Sequence, residues 1–387
     1  MIILCCIKPN DLFPVEKPEN VTMRNYSFLV LLLLLFFLSC QKGGENNSNT
    51  NPPPATDMYF PPVSGTEWQT TTAASLGWNE TELNNLYTYL QQKNTKAFII
   101  LKNGKIVAER YFGTFTADSA WYWASAGKTM TAILVGIAQQ EGILNINNKT
   151  SQYLGTGWTS LPLAKEDLII VRHQLTMTTG LDDAVTPDND CTLPGCLVYK
   201  ADAGTRWAYH NAPYTILDKV VENASGMTYN SYFQQKIRDR IGMNGLWLRT
   251  GYNNVYYSNA RSMARFGLLL LNKGKWDQTA ILNDTAYFNT QVNTSQNLNL
   301  SYGYLTWLNG KASYMLPTLQ LIFSGMLAPN APADMFSALG KNDQKVYVVP
   351  SQKLVVIRMG ESAGNVQLAL SSFDNELWGK LKTIIGY

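Results

Sequence analysis

The first folded part of the chain carries two different periodicities of apolar residues. After Asn79, leucine and tyrosine recur at helical spacing up to residue 90, which predicts an amphipathic helix with Asn79 as its N-cap. The apolar segments 97–101 and 105–111 then flank Asn103-Gly104, a dipeptide typical of a tight hairpin turn. This region therefore predicts a helix followed by a β-hairpin.

The C-terminal end carries a matching pattern. The valine-rich segments 344–349 and 353–359 predict two strands, and 372–385 predicts a last helix. Between the two ends the apolar spacing predicts mostly helices, at 128–141, 213–223, 229–240 and 261–272.

These elements predict an α+β fold. Both chain ends are expected to build one antiparallel sheet flanked by helices, and a mostly helical lobe, residues 120–300, is expected as an insertion packed against it. The nucleophile candidate described below lies at the seam between sheet and lobe. Seams of this kind are where clefts form.

An unbroken run of eleven apolar residues, 28–38, lies near the N-terminus. It is shorter than the ~20 residues of a membrane-spanning helix, and with Arg24 before it the run is typical of a secretory signal. Cys40 follows at the position where bacterial lipoproteins are cleaved and lipidated, although Phe37 stands where such signals usually carry leucine. A plain signal peptide cleaved near Ser39 is the alternative.

We therefore expect residues 1–40 to be a leader, with residues 1–22 outside the protein if translation starts at Met23. A lipid on Cys40 would anchor the chain in the bacterial cell envelope, at the outer membrane. Residues 41–66 contain Asn-rich and Pro-Pro-Pro stretches and predict a flexible linker. Residues 67–387 predict the folded domain.

Composition argues against several classes of function. A net charge of +3 without a basic block argues against nucleic-acid binding. The chain has two histidines and no zinc-ligand spacing, so we expect neither a metal nor a cofactor. Outside the leader the cysteines are Cys191 and Cys196, which predict a disulfide in an oxidising compartment. Two free thiols are the alternative.

Ser125 and Lys128 open a long apolar run that predicts a buried helix. Residues three apart lie on one face of a helix, so the hydroxyl and the amine can meet. Partial desolvation lowers the pKa of a lysine and lets it accept the proton of the serine. The helix N-terminus offers N–H groups and a positive dipole end where an oxyanion could form. The spacing alone is weak, because Ser39 and Lys42 repeat it.

Tyr209 and Asn211 can supply further groups that a Ser-Lys nucleophile needs. They precede a predicted helix, so Tyr209 is expected on a loop. The phenol can exchange a proton with the serine if a neighbouring ammonium lowers its pKa, and the amide can hydrogen-bond the lysine and a substrate carbonyl. The same Tyr-x-Asn triplet also begins at Tyr252, Tyr257 and Tyr287, so its position decides its meaning.

The sequence around Tyr209 resembles a known family. The segments that carry the resemblance read YHNAPY at 209–214, VVE at 220–222, SG at 225–226, IGM at 241–243, LTMTTGL at 175–181 and RSMARFG at 261–267. They are similar to the serine β-lactamase and penicillin-binding-protein superfamily, closest to class C β-lactamase-related hydrolases of the 6-aminohexanoate-dimer hydrolase and esterase group. The resemblance covers roughly residues 75–387.

This resemblance implies a β-lactamase-like (DD-peptidase) fold and a set of roles. Ser125 is implied as the acylated nucleophile, Lys128 as its partner, and Tyr209 as proton shuttle and activator of the deacylating water. The third motif of the family, Lys-Thr-Gly or a variant, is missing, and the corresponding strand reads ALGKN at 338–342. Gly340 would still allow close approach by substrate, and the N–H of Lys341 could join that of Ser125 as the oxyanion pair.

Loss of this motif changes the expected substrate. In penicillin-recognising members its lysine and hydroxyl hold the substrate carboxylate, which Ala338 and Leu339 cannot do. We therefore expect an exported serine hydrolase that cleaves a less charged ester or amide, in a small molecule or a peptide, through an acyl-enzyme on Ser125. A penicillin-binding-like sensor or D-alanyl peptidase that acylates with slow turnover is the alternative. A degenerate fold with a structural use at the cell wall is a third hypothesis, disfavoured by the intact site.

His210 offers a competing hypothesis, a Ser-His-Asp triad with Asp218 or Asp202. No serine lies in a Gly-x-Ser-x-Gly elbow, which disfavours this hypothesis. His173 is expected on a helix surface or in packing.

Overall fold

The computed structural model of this protein describes residues 58–185 and 188–387. The predicted leader 1–40, with its lipidation candidate Cys40, and the linker up to residue 57 lie outside the described residues. None of the helices in the described part of the chain is long and apolar enough to cross a bilayer.

Strands and helices alternate along the described residues. The strands are β1 (Thr95–Lys102), β2 (Lys105–Tyr111), β3 (Trp121–Tyr122), β4 (Leu246–Thr250), β5 (Asn253–Ser258), β6 (Lys275–Trp276), β7 (Thr279–Ala280), β8 (Trp307–Leu308), β9 (Ser313–Met315), β10 (Ile322–Ser324), β11 (Phe336–Gly340), β12 (Gln344–Val349) and β13 (Leu354–Gly360). The α-helices are α1 (Glu80–Gln92), α2 (Gly127–Gln140), α3 (Ser151–Leu154), α4 (Leu163–Glu166), α5 (Val171–Leu175), α6 (Asn211–Thr215), α7 (Leu217–Ser225), α8 (Tyr229–Phe233), α9 (Ala260–Leu271), α10 (Thr285–Gln291) and α11 (Ser372–Ile385).

Both ends of the chain build one six-stranded antiparallel sheet, as predicted. Its strand order is β2-β1-β13-β12-β11-β8, so the N-terminal hairpin pairs directly with the last strand. In this pairing Ile99 of β1 lies opposite Ile357 of β13. The hairpin turn contains Asn103 and Gly104, both at positive φ, which matches the turn that this dipeptide predicts.

Helices cover both faces of this sheet. Val346 and Tyr347 are neighbours on β12, so their side chains point to opposite faces. On one face α9 comes so close that a Cβ at Gly267 would lie 2.5 Å from the Val355 side chain and 3.2 Å from Val346. On the other face Trp378 of α11 packs edge-on against Tyr347, with ring centroids 5.6 Å apart. The sheet is therefore buried on both sides, which explains its valine-rich strands.

The inserted lobe contains the predicted helices and, in addition, a small three-stranded sheet. Its strand order is β3-β5-β4. The pattern of apolar and polar residues does not predict the hairpin of β4 and β5. In β4, Leu246 and Leu248 are exposed although they are apolar, while Trp247 between them is buried. Three consecutive apolar residues show no alternation, so the periodicity of a strand is lost.

The start of the packed domain differs from the prediction. The ring of Phe60 lies edge-on against Trp276, with centroids 5.3 Å apart, and the guanidinium of Arg265 donates to the carbonyl of Pro62 at 2.8 Å. The prediction of a linker over 41–66 and a domain from 67 is therefore wrong at this boundary. Residues 58–66 belong to the packed part, because an aromatic side chain buries apolar area there.

Candidate active site

A tight turn, residues 123–126, holds Ser125 immediately before α2. Ala124 in this turn has a φ of 47°, a backbone conformation that costs a non-glycine residue energy. The N–H of Trp123 donates to the carbonyl of Tyr256 at 2.8 Å, and its indole N–H donates to the hydroxyl of Ser258 at 2.8 Å. Both acceptors lie on β5, so the small sheet of the lobe holds the strained turn in place.

The opposite side of the turn lies against β11 of the large sheet. A Cβ on Gly340 would lie 2.4 Å from the carbonyl oxygen of Trp123 and 2.9 Å from the amide nitrogen of Ala126. Only glycine permits this contact without movement of the backbone. From the sequence we expected Gly340 to allow close approach of a substrate. This expectation is corrected, because the backbone of the Ser125 turn occupies the space next to Gly340.

Lys128 lies one helical turn beyond Ser125, and its Nζ donates a hydrogen bond to Ser125 Oγ at 2.8 Å. The side chain is 3% exposed. Removal from solvent lowers the pKa of Lys128 from 10.5 to about 7, against an opposing influence of the Asp190 carboxylate. A substantial fraction of the amine is therefore neutral near neutral pH, and the neutral amine can accept a proton.

Tyr209 reaches the same hydroxyl from the loop before α6, and its side chain is hydrogen-bonded to that of Ser125. Its ring stacks on Trp307 with centroids 5.6 Å apart and meets Tyr302 edge-on. Burial raises the pKa of Tyr209, and the hydrogen bond to Ser125 offsets only part of this. The condition stated from the sequence, a pKa lowered by a neighbouring ammonium, is therefore not met, and burial favours the protonated phenol.

Ser125 and Lys128 border a cleft of about 440 Å³ at the seam between the two sheets. Ser125, Lys128 and Lys341 are among its lining residues, together with Tyr122 and Tyr257 from the small sheet. The ring of Tyr214 forms part of the same wall, with its centroid 4.2 Å from Lys128 Nζ. The predicted cleft is therefore present where sheet and lobe meet.

Asp190 also lines this cleft, and sequence reasoning did not single it out. Its carboxylate accepts hydrogen bonds from the side-chain amides of Asn211 at 2.8 Å and Asn253 at 2.6 Å. Within the described residues it has no ion pair with a cation. The signal that could have identified Asp190 is its place directly before Cys191, at the start of a loop that a disulfide can fix.

Asn211 was expected to hydrogen-bond Lys128, and this expectation is wrong. Its amide nitrogen donates to Asp190 instead, and its Oδ1 is buried without a partner within the described residues. A carboxylate can only accept, so this contact fixes the orientation of the amide and leaves Oδ1 as an acceptor in the cleft wall.

Cys191 and Cys196 form a disulfide, as predicted, with an S–S distance of 2.05 Å. The two cysteines close a loop whose first residue follows Asp190 directly. A cross-link limits the freedom of such a loop. The disulfide therefore restrains the carboxylate that lines the cleft.

The histidines do not take part in this arrangement. His210 is buried, and its Nε2 lies 3.1 Å from the carbonyl of Asn189. The carboxylates of the competing triad bind other residues, since Asp218 pairs with Arg249 and Asp202 with Lys165. His173 accepts a hydrogen bond from the backbone N–H of Ile170 at 3.3 Å, so it is a packing residue near its own helix terminus.

The turn after β11 forms the remaining wall of the cleft. Asn342 lies in the left-handed region at φ 59° and donates from its side chain to the hydroxyl of Tyr122 at 2.8 Å. Arg358, fully buried on β13, donates to the carbonyls of Asn342 at 3.1 Å and Asp343 at 2.9 Å. An arginine inside a valine-rich strand is the sequence signal for this support. By holding this turn, Arg358 keeps Lys341 at the cleft wall.

The Beta-lactamase family model matches residues 87–371, which is most of the chain. The chain belongs to the beta-lactamase family. The match spans both chain ends of the large sheet and the inserted lobe, including Ser125, Lys128 and Tyr209.

Relatives and a solved structure of this family are distant from the chain. It is 22% identical over 303 residues to an uncharacterized protein of Alkalihalophilus pseudofirmus, covering 69% of this chain and 83% of that protein. It is 28% identical to Penicillin-binding protein 4* of Bacillus subtilis, but over 33% of this chain and only 30% of that protein. A putative 6-aminohexanoate-dimer hydrolase from Bacillus anthracis superimposes with a TM-score of 0.64 at 18% identity, covering 83% of this chain and 88% of that one.

The family match and the superposition confirm the predicted superfamily and the α+β, β-lactamase-like fold. Beta-lactamase family relatives are serine hydrolases, and this chain is accordingly a β-lactamase-related hydrolase. Its bond specificity and the roles of its residues depend on the geometry of the cleft.

Proposed function

We propose that this beta-lactamase family member cleaves an ester or amide bond through an acyl-enzyme on Ser125. The observation that carries the proposal is the convergence of two side chains on one hydroxyl. Lys128 Nζ lies 2.8 Å from Ser125 Oγ, and the Tyr209 side chain is hydrogen-bonded to Ser125 as well. A serine between a proton acceptor and a proton donor has both groups that acyl transfer needs.

In the acylation step, the neutral amine of Lys128 takes the proton of Ser125 while Oγ attacks the carbonyl carbon. The negative charge on the carbonyl oxygen is stabilised by the backbone N–H groups of Ser125 and Lys341, which is a proposed pairing. The intermediate then expels its leaving group, which takes a proton from the Tyr209 hydroxyl, and the ammonium of Lys128 restores that proton.

In the deacylation step, a water molecule attacks the acyl carbon. Lys128 is the proposed base for this step, since its lowered pKa favours the neutral amine, whereas the raised pKa of Tyr209 disfavours its phenolate. The tetrahedral intermediate collapses, Ser125 Oγ leaves, and the proton returns to it. The product carboxylic acid is released.

Cleft composition supports a neutral or cationic substrate over an anionic one. Ala338 and Leu339 are buried in β11 and offer no hydroxyl or ammonium to a substrate carboxylate. The carboxylate of Asp190 lies in the cleft close enough to influence Lys128, and it repels anions there. Lys341 supplies a positive charge to the same cleft, so a distant anionic group is tolerated better than one beside the scissile bond.

The experiment is labelling with a fluorophosphonate probe. The wild-type protein is expected to label, Ser125→Ala not to label, and Ser151→Ala, a matched change on a distant helix, to label like wild type. Labelling of Ser125→Ala equal to wild type would exclude Ser125 as nucleophile. Hydrolysis of p-nitrophenyl esters, a D-alanyl-D-alanine peptide and nitrocefin, compared side by side, then identifies the bond that is cleaved.

A penicillin-binding-like protein that acylates with slow turnover is the second candidate. The observation that favours it is the raised pKa of Tyr209, because the phenolate that would activate the deacylating water is disfavoured. Pre-steady-state kinetics separates the two candidates. A burst of one product equivalent followed by negligible turnover supports the second, and steady turnover supports the hydrolase.

Export and lipid anchoring belong to the same proposal. The apolar run 28–38 followed by Cys40 supports a lipoprotein leader, and the disulfide between Cys191 and Cys196 is compatible with an oxidising compartment. Incorporation of labelled palmitate into the full chain, and its loss in Cys40→Ser, tests the anchor. Incorporation that persists in Cys40→Ser would contradict it.

A further inference from the structure

The small sheet of the inserted lobe has one buried face and one face that is partly open to solvent. Trp247 of β4 and Tyr256 of β5 lie opposite each other and are buried. Neighbouring residues on a strand point to opposite faces, so the residues next to these two point the other way. This second face, here called the apolar face, is formed by Tyr122, Leu246, Leu248, Val255 and Tyr257.

The catalytic cleft lies against the apolar face. Tyr122, Val255 and Tyr257 are among the residues that line the cleft. Leu248 lies opposite Val255 across the pair of strands, and Leu246 lies opposite Tyr257. Opposite residues of an antiparallel pair have neighbouring side chains on the same face. The apolar face therefore runs from the wall of the cleft to two leucines on the outer strand.

The two leucines keep much of their surface in water. Leu246 is 47% exposed and Leu248 is 43% exposed. One exposed leucine needs no explanation in a folded protein. Two leucines on the same face of one strand, each opposite a residue of the cleft, extend the apolar wall of the cleft. Such a surface favours an apolar occupant, because the removal of apolar area from water is favourable.

The charged and polar groups of the small sheet lie elsewhere. Arg249, between the two leucines, points to the other face and pairs there with Asp218. Thr250 and Asn253, at the hairpin end, also line the cleft, and the amide of Asn253 donates to Asp190. The cleft is therefore polar at the hairpin end and apolar beside the two leucines. A charged group on the occupant would lose hydration at the apolar end without gaining a partner.

The outer edge of β4 is closed to a further strand at Trp247. The backbone N–H of Trp247 donates to Oδ1 of Asn230 at 2.9 Å, and its carbonyl accepts from Nδ2 of Asn230 at 2.9 Å. One side chain thus takes the two hydrogen bonds that an added strand would need there. An occupant has to lie on the apolar face instead. A substrate bound at Ser125 is already in the cleft that this face lines, so its non-reacting part is the nearest occupant.

The proposed mechanism decides which part of the substrate reaches the apolar face. The leaving group takes its proton from Tyr209, whose ring packs against Trp307 and Tyr302, two residues outside the small sheet. The acyl group is therefore the part that lies along the small sheet. We propose that the apolar face is an acyl-group subsite and that the preferred substrates are esters or amides of neutral, extended alkyl carboxylic acids. This inference rests on the proposed acyl-enzyme and adds its substrate class.

The experiment compares p-nitrophenyl acetate, butyrate and octanoate, each below its micelle concentration and corrected for spontaneous hydrolysis. We expect kcat/KM to rise about twofold for each added CH₂ group, because one side of the chain remains in water. This constant measures acylation whether or not deacylation is slow. The rate at which fluorophosphonates with an ethyl or an octyl chain label Ser125 gives the same comparison without turnover.

Leu246→Thr combined with Leu248→Thr makes the outer part of the apolar face polar and keeps residues that favour a strand. We expect the octanoate-to-acetate ratio of kcat/KM to fall about tenfold. Leu163→Thr combined with Leu168→Thr is the matched control, because these leucines are 55% and 46% exposed and do not line the cleft. It should keep the wild-type ratio. If the first variant does not fold, Val255→Thr replaces it, with a smaller fall in the same direction.

Three results would overturn the subsite: a flat chain-length profile in both probe series, a ratio that the two leucine replacements leave unchanged, or an equal fall in the control. A dimer that dissociates in the leucine variant while the ratio stays unchanged would show an interface between copies of this chain instead, and light scattering detects it. Failure of the subsite leaves the labelling of Ser125 by the ethyl probe intact. Absence of that labelling overturns the proposed hydrolase itself, so the two failures are distinguishable.

Discussion

Lys128 Nζ lies 2.8 Å from Ser125 Oγ, although the lysine side chain is almost wholly removed from solvent. Both facts have one cause, since Lys128 lies in the first turn of α2, a helix whose residues are buried from Gly127 to Ala138. Burial disfavours the ammonium, and contact with the serine gives the neutral amine a proton to accept. The helix thus places the base and sets its pKa.

The pH dependence of catalysis follows from this pKa. Removal from solvent lowers the pKa of Lys128 to about 7, and the proposed base must be neutral. We expect kcat/KM for a neutral p-nitrophenyl ester to fall about tenfold per pH unit below this pKa and to level off above it. A profile that is flat through this region, or that falls as pH rises, would contradict Lys128 as base.

Tyr209→Phe removes the proton donor and keeps the ring that stacks on Trp307. We expect kcat to fall by about 10²–10⁴ with little change in KM, because only proton transfer is lost. Thermal unfolding should be nearly unchanged. Tyr252→Phe is the matched control, because Tyr252 begins the same triplet of residue types and is expected to keep full activity. If the variant instead loses activity because it is unfolded, as a large drop in melting temperature would show, Tyr209 has a structural role.

Asp190→Asn removes a negative charge from the cleft. This carboxylate raises the pKa of Lys128, so its loss is expected to move the lower limb of the pH profile to more acidic pH. A cationic ester should lose about tenfold in kcat/KM relative to a neutral one. Asp188→Asn, two residues away and exposed, is the control. If the lower limb of the pH profile does not move, Asp190 does not influence the pKa of Lys128.

The disulfide offers a separate test of the position of Asp190. Replacing Cys191 and Cys196 by serine is expected to lower the free energy of unfolding by about 2 kcal/mol, because the loop that they close is short. KM should rise more than kcat falls, since the carboxylate that lines the cleft loses its restraint. Denaturant titration and steady-state kinetics measure the two effects. If kcat falls and KM does not change, the disulfide does not act through the position of Asp190.

Gly340→Ala tests the contact between β11 and the Ser125 turn. The added Cβ would lie 2.4 Å from the Trp123 carbonyl, so the turn must move. We expect fluorophosphonate labelling to slow at least about tenfold, because a small displacement of the nucleophile is costly. Gly364→Ala, where a Cβ has open space around it, should label at the wild-type rate. Equal labelling rates would show that the turn tolerates the shift.

Much of the fold follows from local sequence patterns. Asn79 caps α1 because its side chain accepts from the N–H of Glu82, and Asn103-Gly104 closes the first hairpin. These outcomes depend on neighbours in sequence, which the pattern contains. The hairpin of β4 and β5 could not be predicted in this way, because Trp247 is buried by α2 and α8, which are distant in sequence.

The sequence by itself predicted the reactive pair, since the separation of three residues brings Ser125, in the turn before α2, close to Lys128 in the first turn of that helix. It also determined the two-ended sheet, because hydrophobic strands at both ends have to pair with each other. Tertiary structure alone decided that the pKa of Tyr209 is raised, that Asn211 binds Asp190 instead of the lysine, and that Gly340 supports the nucleophile turn. These properties depend on desolvation and on close contacts between distant segments, and neither quantity is contained in the spacing of residues along a chain.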